Sequence, residues 1–360
     1  MKTKLSFILL SFSILIGTTV SLFGQEGHEG TGTKEHGGSG EAFNASTFIM
    51  EHIADSHEWH LWTKSNGEAV AVYLPVILYS REKGLDVFSS KHFAHGNVYN
   101  GYKIEEEGDL KGKIVTVDSE GHADEAKIPL DFSITKTIVG LLFSCIIGLF
   151  LFLSLSRSYK KTGISHPRGI QSFLEPVILF VRDDIAISNI GKHKYEKYMP
   201  YLLTVFFFIL INNLMGLVPF PPPFGANVTG NIAVTMVLAL FTFFITQFSG
   251  NKNYWRHTFA TPGVPLWLLP VMIPVEIIGI FSKPFALMIR LFANITAGHI
   301  IVLSLVCLIF IFSSLAVAPV SILFVIFMDC LELLVAFLQA YVFTLLSALF
   351  ISLAVQEEHH

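Results

Sequence analysis

Charge is the first thing this sequence lacks. Only 14% of its 360 residues are Asp, Glu, Lys or Arg, against roughly 25% in soluble domains. A chain so poor in charge cannot cover a globule with polar surface, which excludes an ordinary soluble enzyme. Cysteine is scarce too. Cys145, Cys307 and Cys330 each sit in an apolar run, so they read as small buried or lipid-facing residues and not as a disulfide framework. There is no basic excess to hold nucleic acid, since the formal net charge is −4. What is abundant is apolar: 52% hydrophobic residues, 33 of them Phe, and a mean hydropathy of +0.58. This is the composition of a membrane protein.

The charge that exists is unevenly placed. Residues 25–131 hold nine basic and nineteen acidic residues, 157–197 eight basic and four acidic, and 198–355 only seven charged residues in all. The chain reads as an acidic head, a basic collar and an apolar body. Before the head, Lys2 and Lys4 precede an apolar run over 5–16 and small residues to Gly24. That order is expected of a signal peptide over 1–24, the alternative being an uncleaved first span. Twelve apolar residues reach about 18 Å, short of the roughly 30 Å of a bilayer core. The segment 25–131 is then extracytoplasmic, with a disordered Gly/Glu/His tract over 27–40 and β-like runs at 69–79 and 113–117. His52, His57 and His60 stand near Glu51, Asp55 and Glu58. Their spacing fits no zinc pattern, so solvated surface histidines are expected, with no metal and no cofactor.

The body, 132–360, reads as an all-α polytopic membrane domain of about five transmembrane helices, near 134–156, 201–218, 231–248, 264–313 and 319–355. Arg157, Lys160, Lys161 and Arg168 follow the first span and place its end in the cytoplasm. The stretch 169–190 mixes apolar residues with Glu175, Arg182, Asp183 and Asp184 and is expected as an amphipathic helix on the cytoplasmic face. The last two stretches are too long for perpendicular spans. They must tilt, lie along the membrane or break, with Pro270, Pro274 and Pro284 as places to bend. The C-terminus is expected in the cytoplasm.

The ionisable and polar residues inside those two stretches carry the functional information: Glu276, Lys283, Arg290, Asn294 and His299, then Asp329, Glu332 and Gln339. A charge at the bilayer centre costs from about 3 kcal/mol upward, and Arg cannot escape by losing its proton. Arg290 therefore needs water, a partner or an acid from another subunit; the bland alternative is a structural salt bridge to Glu276 or Glu332. At about 100° per residue, Asn294 shares a face with Arg290, while His299 points the opposite way. Asp329, Glu332 and Gln339 fall on one face of the last helix. A line of carboxylates and His can relay protons, and a fixed cation within it blocks a leak.

These residues also carry a resemblance. The run 282–294, Ser-Lys-Pro-Phe-Ala-Leu-Met-Ile-Arg-Leu-Phe-Ala-Asn, closely resembles the signature of subunit a of F-type ATP synthases. Residues 338–346 resemble its second signature and 213–219 a third. The resemblance covers roughly 131–360. It implies a stator subunit beside a rotating ring of c-subunits, with a peripheral-stalk subunit b, two proton half-channels, and no catalytic site of its own. The family's essential arginine falls on Arg290, its companion asparagine on Asn294 and its glutamine on Gln339. Its coupled half-channel positions fall on His299 and Glu332, and a further acidic channel position on Glu276; Asp329 joins the candidate path as a neighbour of Glu332. The resemblance implies a cell inner membrane location. The acidic head lies outside it.

Two other classes fit buried charge. An ion-coupled secondary transporter would show an internal repeat with paired broken helices, and none is visible. A signalling receptor would need a cytoplasmic output domain, whereas the longest cytoplasmic piece is about forty residues.

Overall fold

The computed structural model describes residues 44–63, 69–81, 83–105, 110–117, 128–162, 169–218, 222–259, 266–312 and 317–356. The signal-like segment, the Gly/His-rich tract, part of the basic collar and residues 219–221 lie outside the described residues. The chain forms two compact units: residues 1–141, 218–226 and 304–323, and residues 142–217, 227–303 and 324–360.

The first unit contains a short helix α1 (Ala45–Ile53) and small antiparallel sheets. Strand β1 (Glu58–Thr63) pairs with β2 (Ala69–Tyr73). Strand β3 (Pro75–Ser80) is the centre of a three-stranded sheet, with β4 (Gly84–Ser89) on one side and β7 (Leu130–Asp131) on the other. Strand β5 (Tyr102–Ile104) pairs with β6 (Ile114–Thr116). The expected strand over 69–79 is thus two strands in different sheets. Pro75 has no N–H to continue a ladder, and the preceding Leu74 N–H is shared between the His57 carbonyl at 3.2 Å and the Ser90 hydroxyl at 3.0 Å. Alternation along β3 sends Val76 and Leu78 inward onto Phe93, Tyr102 and Ile114. Tyr102 Oη donates to Asp86 Oδ2 at 3.1 Å; burial is the main reason its phenol is pushed up.

One expectation for this segment is corrected. His57 is not a solvated surface residue: it is 8% exposed, with Nε2 3.3 Å from Asp131 Oδ2. Burial raises the Asp131 carboxyl, but the bonds from His57 and Ser133 outweigh it and hold it below the ordinary range. The contact joins the residue before β1 to β7, 74 residues later in the chain, which a list of His spacings cannot show.

Helix α2 (Lys136–Thr162) begins in this unit and is long and apolar enough to cross a membrane. Its first turn is capped from outside the helix, since Asp55 Oδ1 accepts from Thr137 N at 3.1 Å. The second unit holds the rest of α2 and the remaining helices, two helix ends excepted. The remaining helices are α3 (Ile170–Phe180, continued by a π-helical turn Val181–Ile187 and Ser188–Ile190), α4 (Tyr195–Gly216), α5 (Ile232–Phe248), α6 (Lys252–Phe259), α7 (Leu269–Phe312) and α8 (Ala318–Val355). Residues 304–312 of α7 and 318–323 of α8 belong to the first unit. Helices α2, α4, α7 and α8 are long and apolar enough to span, and α5 is a shorter apolar helix of 17 residues. The body is all-α, as the composition requires.

Two expectations are refined. The stretch 169–190 is amphipathic, with Asp183 and Asp184 exposed, but its apolar side packs on protein. Val181, Ile185 and Ala186 are fully buried in one core with Leu202, Phe206, Leu291 and Phe343. The prolines do not break the first long stretch either: α7 runs through Pro274 and Pro284 as one helix of 44 residues. At 1.5 Å per residue it is about 66 Å long, over twice a bilayer core, so it inclines strongly within the apolar layer. Helix α8 ends on a built cap. The Val355 carbonyl accepts from Lys194 Nζ and from Asn251 Nδ2, each at 3.0 Å, which satisfies an orphan C-terminal acceptor with a cation and an amide.

Candidate functional site in the last two helices

Helix α7 buries Leu287, Leu291 and Ile295, a four-residue spacing that drifts by about 40° per step and keeps one stripe inward. Helix α8 answers with Glu332, Ala336, Gln339, Ala340 and Phe343. The small residues Ala336 and Ala340 let the backbones approach. Two polar groups therefore sit in the buried stripe itself: Glu332 is 8% exposed and Gln339 4%.

They meet polar groups of α7. Asn294 Nδ2 donates to Gln339 Oε1 at 3.0 Å. His299 Nδ1 lies 3.9 Å from Glu332 Oε1, within ion-pair range but too far for a direct hydrogen bond. The later residue of α7 thus pairs with the earlier residue of α8, so the two helices run antiparallel here. Gly298 makes the second contact possible. A Cβ at that position would stand 2.2 Å from Glu332 Oε1 and 3.0 Å from its Cγ, so any side chain would expel the carboxylate. Sequence reasoning missed this glycine; its place one residue before His299 was the only signal.

Arg290 stands one turn before Asn294, exposed on the surface of α7. Among the described residues, no carboxylate lies within 4.0 Å of its guanidinium. The bland salt bridges are therefore not formed. Because α7 is continuous, Glu276 is about 21 Å away along the axis, and Glu332 is engaged beside Gly298 and His299. Glu276 and Asp329 are half-buried on α7 and α8, Asp329 one turn before Glu332 and Glu276 apart from the rest. Of the residues singled out, the structure brings together Asn294 with Gln339 and His299 with Glu332.

Polar groups continue beyond these pairs. Thr229 Oγ1 donates to Asn213 Oδ1 at 2.7 Å, and Asn213 Nδ2 donates to the Ala336 carbonyl at 3.2 Å. Tyr201 Oη and Thr242 Oγ1 are 2.6 Å apart, and Thr242 Oγ1 and Ser347 Oγ 3.1 Å. The Thr242/Thr246 spacing on α5 and Thr344/Ser347 on α8 were the available signals. Thr296 Oγ1, Asn212 Oδ1 and Gln339 Nε2 are buried with no protein partner among the described residues. Each would cost about 1–3 kcal/mol if left dry, which makes this interior suited to water. Among the described residues no cluster of His, Cys, Asp and Glu could hold a metal ion.

Comparison with known proteins places these helices. The family model described as "ATP synthase A chain" matches residues 138–352, and one described as a domain of unknown function matches residues 48–132. ATP synthase subunit a of Chloroherpeton thalassium is 48% identical over 236 residues, covering 64% of this chain and 69% of that protein. ATP synthase subunit a 2 of Chlorobium luteolum is 51% identical over 236 residues, covering 64% and 67%. ATP synthase subunit a of Myxococcus xanthus is 50% identical over 238 residues, covering 64% and 76%. With a family match over more than half its length, on the helices that carry Arg290, Asn294, His299, Glu332 and Gln339, the chain belongs to the ATP synthase A chain family.

Proposed function

We propose that this chain forms two proton half-channels beside a rotating c-ring and couples proton flow to ATP synthesis, with Arg290 as the fixed charge between them. It has no catalytic site of its own. The observation that carries the reading is an exposed Arg290 on an apolar helix, with no carboxylate within 4.0 Å among the described residues, next to a bonded Asn294–Gln339 pair. An arginine cannot face lipid without a large penalty, so a protein surface bearing carboxylates fits against it. A c-ring is such a surface. Its carboxyl groups stay protonated in lipid, because a bare charge there is costly, and ionise near Arg290, because an opposite charge within about 4–6 Å favours the charged form. His299 and Glu332, with Asp329 and Glu276 further out, line the proton path; Gln339 and Asn294 hold its wall beside the arginine. The transmembrane potential, about 2.3 kcal/mol per charge per 100 mV, biases rotation.

We also infer the topology and partners. The protein lies in the cell inner membrane with 25–131 outside and the C-terminus inside, after removal of 1–24, and 132–360 forms the membrane domain. Lys192, Lys194 and Lys197 fit a cytoplasmic collar. The bonds from Lys194 and Asn251 to Val355 support gathering that collar, the α5–α6 turn and the C-terminus on one side. The partners within the synthase are the c-ring and subunit b of the peripheral stalk. Arg290→Ala in the assembled complex tests the reading: ATP-driven pumping and ATP synthesis should be lost while the c-ring and subunit b still co-purify. Normal coupled synthesis in that variant would remove Arg290 from the mechanism.

A further inference from the structure

The three-stranded sheet of the N-terminal segment has two apolar faces. One is filled: Val76 and Leu78 lie on Phe93, Tyr102 and Ile114. The registers set the other. Tyr79 pairs with Leu85 and Leu130, and Ile77 with Val87, while the Phe132 N–H donates to the Ile77 carbonyl at 2.9 Å. Ile77, Tyr79, Leu85, Val87, Leu130 and Phe132 therefore share one face, with no charged residue among them. Leu85 is 64% exposed, Val87 62%, Leu130 60% and Phe132 63%. An antiparallel sheet with one packed face normally presents a polar second face to water. This one presents a contiguous apolar surface of the kind that marks an interaction site.

What covers it follows from how the sheet joins the membrane helix. Only residues 132–135 separate β7 from α2, a reach of about 13 Å when fully extended. They are not a free linker. Ile134 N donates to the Pro75 carbonyl at 3.1 Å, Lys136 N to the Ser56 carbonyl at 3.0 Å, and Thr137 N to Asp55 Oδ1 at 3.1 Å. The sheet is thus fastened to the first turn of a helix that enters the bilayer, and that helix bears outward apolar residues from Ile138 onward. Bonded in place so close to the first turn of α2, the sheet cannot stand further from the helix's entry than that short reach. Burying such a face at the headgroup boundary follows the rule for interfacial amphipathic elements.

We propose that this face of the β4–β3–β7 sheet rests on the lipid surface where α2 enters, making the N-terminal segment a membrane-seated platform and not a free domain. Tyr79 acts there as an interfacial aromatic, and Phe132 adds apolar contact area. The test uses the assembled complex in lipid nanodiscs, with the native cysteines replaced by alanine. Single Leu85→Cys, Leu130→Cys and, as an exposed control off this sheet, Lys113→Cys variants carry an environment-sensitive fluorophore. With acyl chains brominated near the headgroup, the labels at 85 and 130 should lose about half or more of their emission and resist aqueous iodide. The label at 113 should show the reverse. Iodide quenching at 85 and 130 without lipid quenching would mean a water-exposed face, and shielding from both quenchers would mean a protein partner; either result overturns the proposal. A Leu85→Asp, Val87→Asp pair, which leaves the packed face untouched, should release the label at 130 to iodide.

Discussion

Gly298 shows how much one missing side chain decides. A methyl group there would stand within 2.2 Å of Glu332 Oε1, so Gly298→Ala must rotate the carboxylate away from His299 or part the helices. Overpacking of this kind costs about 1–3 kcal/mol, and ATP-driven proton flux should fall by about tenfold with the subunit still assembled. Gly279→Ala, where a Cβ meets nothing within 4 Å, is the matched control and should pump normally. The neighbouring pair makes a second prediction. His299→Ala and Glu332→Ala should each cut flux severely, though less completely than Arg290→Ala. The swap of His299→Glu with Glu332→His should recover part of the loss, because the 3.9 Å approach is symmetric in acid and base. A double swap no better than the worse single variant would mean that the two residues act separately.

His57 and Asp131 offer a residue-scale prediction outside the membrane. The folded Asp131 carboxyl is held low by its hydrogen bonds. Its stabilisation is therefore complete above the unfolded value of about 4 and is lost as pH falls through the lower folded value. Amide exchange at 131–133 should quicken on acidification in the native chain. In Asp131→Asn that acid dependence should be absent, and the baseline exchange faster throughout.

At the scale of elements, the helix ends were invisible in the pattern of apolar residues. The first turn of α2 is capped by Asp55, more than eighty residues earlier in the chain, and the last carbonyl of α8 is held by Lys194 and Asn251. A local signature cannot reveal a cap supplied from another segment. Removing one costs about 1 kcal/mol, so Asp55→Ala should speed hydrogen exchange at residues 137–139, and Asn251→Ala at 352–356, with little change in mid-helix. The prolines teach the converse. Pro274 and Pro284 offered places to bend in a stretch that had to tilt, lie along the membrane or break, and α7 passes through both as one helix. One lost hydrogen bond each is small beside the cost of exposing several backbone groups to lipid if the helix broke.

At the scale of the whole molecule the membrane orientation is open to a direct measurement. A periplasm-dependent reporter fused after Asp131 should be active, and one fused after Lys161 should be active only if it requires the cytoplasm. The reverse pattern would contradict both the basic-collar argument and the export of the N-terminal segment.

The sequence by itself determined the class of molecule and the chemistry of its interior. Low charge density and long apolar runs leave only a membrane protein, and an arginine, a histidine and carboxylates within those runs are too costly to be incidental. The positions of the long helices were legible for the same reason, since hydropathy is a local sum that needs no partner. Tertiary structure decided what sums cannot reach. It put His57 inside and not on the surface, gave the apolar side of 170–190 a protein neighbour, and set Asn294 against Gln339 and Glu332 beside Gly298. Each of these is a contact between segments distant in the chain. Which groups share such a contact is fixed by the packing of whole helices and sheets, where a few ångströms decide whether a carboxylate meets a histidine or a wall.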